Sequence, residues 1–137
     1  MNKSTIRELT FKLIYSLEVQ KSFEEEDMDL YFEDMELESE KIKLQIKEDV
    51  KDLVKNNAEL EKQISNNLKS DWKLERISKV NVALLKLAIY EMLFKKVPYK
   101  IVINEVVELA KKYGEDTSSS FINGVLATVV KENNLQA

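Results

Sequence analysis

The sequence predicts an all-helical protein, and three observations carry that expectation. The 137 residues include only two glycines and one proline, while strong helix formers such as Leu, Lys and Glu abound. Apolar residues recur at helical spacing along most of the chain instead of alternating as they would in strands. Ser and Asn stand just ahead of several of these patterns, where helix caps belong. A bundle of about seven helices in one domain, residues 1–137, follows.

Ser4 is placed to cap a first helix running to about Gln20, with Ile6, Leu9, Leu13 and Leu17 as its stripe and Phe11 and Ile14 widening it. The acidic run Glu24–Asp29 reads as a solvated loop leading into a short helix that carries Leu30, Tyr31, Phe32 and Met35. Ser39 caps a third helix marked by Ile42, Ile46, Val50, Leu53 and Val54. Asn57 caps a fourth, with Leu60, Ile64 and Leu68 facing inward. Trp72, Leu74 and Ile77 belong to a turn and a short helical piece. From Val80 to Phe94 the pattern changes, because Leu84, Leu85, Leu87, Ala88, Ile89, Met92 and Leu93 cover nearly every face. A helix that is apolar all round is a buried central one. Pro98 suits the first position of the next helix, whose stripe is Ile103, Val106, Val107 and Ala110, and Gly114 ends it. A last helix carries Phe121, Ile122, Val125, Leu126, Val129 and Val130. Gly124 inside it costs about 1 kcal/mol relative to alanine, which predicts the close approach of a neighbouring helix backbone.

The absences narrow the function. There is no histidine and no cysteine, which removes catalytic triads, thiol nucleophiles and the usual zinc ligands. Two glycines cannot write a phosphate-cradling loop or a dinucleotide fingerprint. No tight constellation of Asp, Glu, Lys, Tyr or Ser replaces them, so no enzyme activity, cofactor or metal is expected. The longest apolar run, Val82 to Phe94, contains Lys86 and Glu91 and is too short to span a membrane. With no apolar leader behind Met1 and no cysteine, a cytoplasmic protein is expected. The net charge of −4 argues against a bulk nucleic-acid binder, yet it is unevenly spread. Residues 1–22 hold four basic and two acidic side chains, and residues 23–40 hold ten acidic and none basic. Such polarity can steer an anionic ligand to one side.

A family resemblance emerges in the second half. Leu74-Glu75-Arg76-Ile77, followed by Leu84-Leu85-Lys86-Leu87-Ala88-Ile89-Tyr90-Glu91, resembles the stretch leading into the central helix of the NusB family of transcription antitermination factors. Val97-Pro98, Ile103-Asn104-Glu105, Leu109-Ala110-Lys111 and Tyr113-Gly114 are similar to that family's "VP…INE…LAK.YG" run. Phe121-Ile122-Asn123-Gly124-Val125-Leu126 resembles its "FVNGVL" signature, and Arg7-Glu8 with Tyr15 and Glu18 its "RE…LY" start. The resemblance implies an all-α fold of two small helical bundles. It also implies an adaptor that pairs with the ribosomal protein NusE and binds the boxA element of nascent RNA. Such a pair helps the elongating RNA polymerase complex pass terminators, chiefly in ribosomal RNA operons.

The candidate site residues rest on that resemblance. Lys3 and Arg7 lie one helical turn apart and would present two cations to phosphate, or merely aid solubility. Tyr15 would stack on a base, or sit half-buried beside the core. Phe121 and Asn123 would stand at the head of the last helix, where backbone N–H groups suit phosphate; as a plain core anchor, Phe121 would have no such role. The protein partner would meet Glu75, Arg76, Lys79 and Asn81. Asn104, Glu108 and Lys111 form a polar helix face read as structural, with Glu108–Lys112 pairing at the surface. Two rival readings are a protein-only interaction module with little RNA binding of its own, and an accessory domain of an rRNA cytosine methyltransferase. The second needs a long catalytic domain that 137 residues cannot hold.

Overall fold

A computed structural model describes residues 1–33, 39–69 and 71–136. Among them every α-helix and 3-10 turn fits the helical reading, and no strand is present. The chain divides into two compact units, Met1–Asn56 and Asn57–Ala137.

The first unit is built from α1 (Lys3–Gln20), α2 (Glu25–Glu33) and α3 (Glu40–Lys55). The cap of α1 is Asn2, not Ser4: the Asn2 Oδ1 accepts the Thr5 N–H at 2.8 Å. Phe11, Leu13, Ile14 and Leu17 are buried along α1, as their spacing predicts. The helix ends at Lys21, which closes it in the left-handed region at φ 54°. The acidic run is not a loop, as the charge pattern suggested, but the start of α2. Glu25, Glu26 and Asp27 occupy its first turn, where carboxylates complement the positive end of the helix dipole. Glu25 and Asp29 then clamp Lys47 of α3 at 2.9 and 2.8 Å. These bonds, Asp29 first and Glu25 next, push the Lys47 amine up to about 12. Met28 and Phe32, one turn apart, are the buried residues of α2, whereas Leu30 is exposed. The Tyr31 hydroxyl donates to the Leu9 carbonyl at 3.2 Å and ties α2 to α1. Met35 lies outside the described residues. Ser39 caps α3 as expected, accepting the Ile42 N–H at 3.3 Å.

The second unit holds α4 (Asn57–Asn66), a 3-10 turn (Leu74–Arg76), α5 (Lys79–Leu93), α6 (Tyr99–Tyr113) and α7 (Ser118–Glu132). Asn57 is the first residue of α4 and not its cap; its side-chain N–H donates to Glu61 at 3.3 Å. The central helix is α5, packed against α4, α6 and α7, and Val82 through Tyr90 are buried without a break. Its Ser78 cap accepts the Asn81 N–H at 3.2 Å. Within that apolar helix Lys86 is 1% exposed, and its ammonium donates to Glu61 of α4 at 3.1 Å. A buried cation needs such a partner to offset its lost hydration. Pro98 sits at the cap of α6, one residue before the helix proper. The surface pair on α6 joins Glu108 to Lys111 at 3.2 Å. At its far end α7 is tied to α4 by the Asn133 side-chain N–H, which donates to Gln63 at 3.1 Å. No described helix is long and apolar enough to cross a membrane.

Candidate nucleic-acid interface

On the first unit, Lys3 and Arg7 do not form the exposed pair that their spacing suggested. Lys3 opens α1 and is exposed, but Arg7 is only 9% exposed. The cause is the rotation of α1, whose inward side includes Arg7 along with Thr10, Phe11 and Ile14. A guanidinium held there serves the helix's packing first, because a buried charge must keep its partners. Tyr15 is 36% exposed, and one face of its ring lies on Phe11 at 6.1 Å between centroids, 26° from parallel. It is thus an outward aromatic, braced from below.

On the second unit, Phe121 is in the first turn of α7 and Asn123, exposed, follows in the next. Phe121 is not a fully buried core anchor. It is half-buried, and its ring stacks on Trp72, centroids 5.5 Å apart and planes 22° from parallel. Trp72 itself is 49% exposed. Sequence reasoning took Trp72 for part of a turn; its only signal was a lone tryptophan in a polar segment. The two rings line a groove of about 790 Å³ together with Arg76, Asn81, Gly124 and Thr128. Arg76 and Asn81, expected on a partner face apart from RNA, therefore share a groove with Phe121. Glu75 and Lys79 are exposed on the same stretch of chain.

Asn81 has a further peculiarity. Its backbone N–H is taken by Ser78, but its Oδ1 is shielded from solvent and accepts no hydrogen bond from a described residue. An unpaired buried acceptor costs about 1–3 kcal/mol, and the Asn57 Oδ1 is shielded and unpaired in the same way.

Gly114 ends α6 as expected, but the close approach expected at Gly124 is not found there. A Cβ on Gly124 would meet nothing within 4 Å, so no helix backbone approaches it, and this glycine opens the groove. Close approach occurs at Gly114 instead. A Cβ there would stand 2.5 Å from Ser118 Oγ and 2.8 Å from the Ala110 carbonyl oxygen. Ser118, 2% exposed, accepts the Glu115 N–H at 2.9 Å and thereby sets the start of α7, the helix that carries Phe121. Gly114 ends α6 in extended backbone, φ −93° and ψ −168°, so room, and not a left-handed turn, is what calls for glycine. Among the described residues no group of His, Cys, Asp and Glu is arranged to hold a metal ion.

Comparison with known proteins places these features in context. The model of the NusB family matches residues 4–131. A transcription antitermination protein NusB from Acetivibrio thermocellus is 46% identical over 132 residues, covering 96% of this chain and 90% of its own. The solved structure of NusB from T. maritima superposes with a TM-score of 0.85 at 30% identity, covering 96% of this chain and 92% of that one. A chain from a solved complex of the antitermination factors NusB and NusE with double-stranded RNA has the same fold, at TM-score 0.84 and 23% identity, covering 95% of this chain and 96% of its own.

Proposed function

This chain belongs to the NusB family, and from that premise we propose that it is a non-enzymatic, cytoplasmic antitermination adaptor. It binds boxA RNA together with the ribosomal protein NusE and joins the elongating RNA polymerase complex. The observation that carries this reading is the Trp72–Phe121 ring pair, in which exposed Trp72 stacks on the half-buried Phe121 at the head of α7, where the Phe121–Leu126 run that resembles the family signature begins. Stacked aromatics beside polar groups are how single-stranded RNA is held without a deep pocket. Phe121 and Asn123 on the second unit, and Lys3 and Tyr15 on the first, are the proposed RNA contacts. Arg7 supports them by fixing α1. Glu75, Arg76, Lys79 and Asn81 are the proposed protein-contact stretch, with Arg76 and Asn81 also open to the groove.

The burial of Arg7 favours a second reading, a protein-only module, since it thins the exposed basic arm. RNA titration of the chain alone and with NusE, at two salt concentrations, separates the two. The adaptor binds boxA RNA weakly alone and clearly tighter as the pair. Equal affinity with and without NusE refutes the partner dependence, and no RNA binding in either case leaves the protein-only module.

A further inference from the structure

Building on that adaptor reading, we infer that the groove beside α7 takes one unstacked RNA base, its face on the open part of the Trp72 indole. The groove, about 790 Å³, falls within the range of small-ligand sites and has room for a nucleotide. Its aromatic wall is preset: Phe121 lies 22° from parallel with Trp72 and limits how far the indole can tilt, while half of that indole stays open. A platform that need not reorganise loses less on binding. Stacking tolerates any base, because every base has a π-face. The rim completes the match with an anionic strand. Lys69 and Arg76 line it against a single carboxylate, Glu115, among the described lining residues. Between these walls Gly124 leaves the floor open. A flat ring pair in a groove lined by two cations fits a base on its sugar-phosphate chain better than it fits a protein side chain.

Trp72 is the chain's sole tryptophan, so 5-fluorotryptophan labelling gives one fluorine signal that reports on the groove. The labelled chain, alone and paired with unlabelled NusE, is titrated with single-stranded boxA RNA while affinity is followed by anisotropy of labelled RNA. The expected result is a shift of the Trp72 signal that saturates with RNA binding. Trp72→Leu weakens RNA about 5- to 150-fold, the range for one lost base stack, and Trp72→Phe keeps most of the affinity. Gly124→Leu weakens RNA as Trp72→Leu does while melting no lower than the parent, since nothing crowds that position. RNA binding at full affinity with an unmoved Trp72 signal overturns the inference and leaves the adaptor reading intact. A signal that moves on adding NusE and is indifferent to RNA assigns the groove to protein, which also overturns it. Failure of RNA to bind either the chain or the pair refutes the adaptor reading, and this inference with it.

Discussion

Gly114→Ala and Gly124→Ala add the same methyl group to two glycines, and the surroundings give the two substitutions opposite signs. At Gly114 the new Cβ would lie 2.5 Å from Ser118 Oγ, 2.6 Å from Ser118 Cβ and 2.8 Å from the Ala110 oxygen. Ser118 cannot simply swing aside, because its Oγ accepts the Glu115 N–H at 2.9 Å in a site that is 2% exposed. Depriving the buried Ser118 hydroxyl of that partner costs about 1–3 kcal/mol. The Ala110 oxygen is held in turn by the Gly114 N–H at 2.8 Å, so the clash cannot be relieved there without opening the end of α6. At about 4 °C per kcal/mol, Gly114→Ala should lower Tm by roughly 4–12 °C. Gly124→Ala fills open space in a helix interior, where alanine is favoured by as much as ~1 kcal/mol, so Tm should hold or rise by up to ~4 °C. Thermal melts followed by far-UV circular dichroism check both. A Gly114→Ala protein melting within a degree or so of the parent would refute the contact argument. A destabilised Gly124→Ala would show that a neighbour does approach that helix.

Three further predictions concern the first unit and the ring pair. Lys3→Ala should flatten the salt dependence of single-stranded RNA binding by roughly 0.7 in slope, whereas Arg7→Ala should lower Tm with little change in slope, since Arg7 is buried; the opposite assignment of effects in salt titrations and melts would reverse the roles given to these cations. The α2–α3 clamp should also impose a pH window. Glu25 is held below its ordinary 4.5, first by its hydrogen bond to Lys47 and then by that residue's charge, so its contribution is present above that value and fades as pH falls through the depressed one. Lys47, raised from 10.5 to about 12, contributes fully below 10.5 and loses its effect as pH rises through about 12. Lys47→Met should flatten the change of Tm with pH at both ends, and an unaltered profile would sink the clamp. Phe121→Ala should cost about 1–3 kcal/mol in RNA affinity per folded molecule if the ring serves a base; a protein that melts lower yet binds RNA unchanged would return Phe121 to a packing role.

The helices were legible in the sequence because a helix is a local object. A 3.6-residue period written in Leu13, Leu17, Ile46, Val50 and Leu53 shows without knowledge of what each helix meets. The near-continuous apolar run through Leu84–Ile89 likewise announced a central helix, since no polar face was left to turn outward. Motif order from Arg7-Glu8 to Phe121–Leu126 was enough to suggest the family. What the sequence left open depends on rotation and on contacts between distant segments. Lys3 and Arg7 share a helical spacing, yet only the packing of α1 decides that one is exposed and the other buried. A short helix was expected after the acidic run, yet α2 begins inside it, where Met28 and Phe32 turn inward and Lys47 of another helix holds Glu25 and Asp29. Gly114 and Gly124 look alike in one dimension, and only the position of Ser118 makes the first indispensable while the second stands open. Trp72 and Phe121 are far apart along the chain, so their stacked pair, with the shielded Asn81 oxygen in the groove beside it, exists only once α4, α5 and α7 have packed. Periodicity specifies which side of a helix is apolar; it takes the tertiary arrangement to determine which side chains meet across the space between helices.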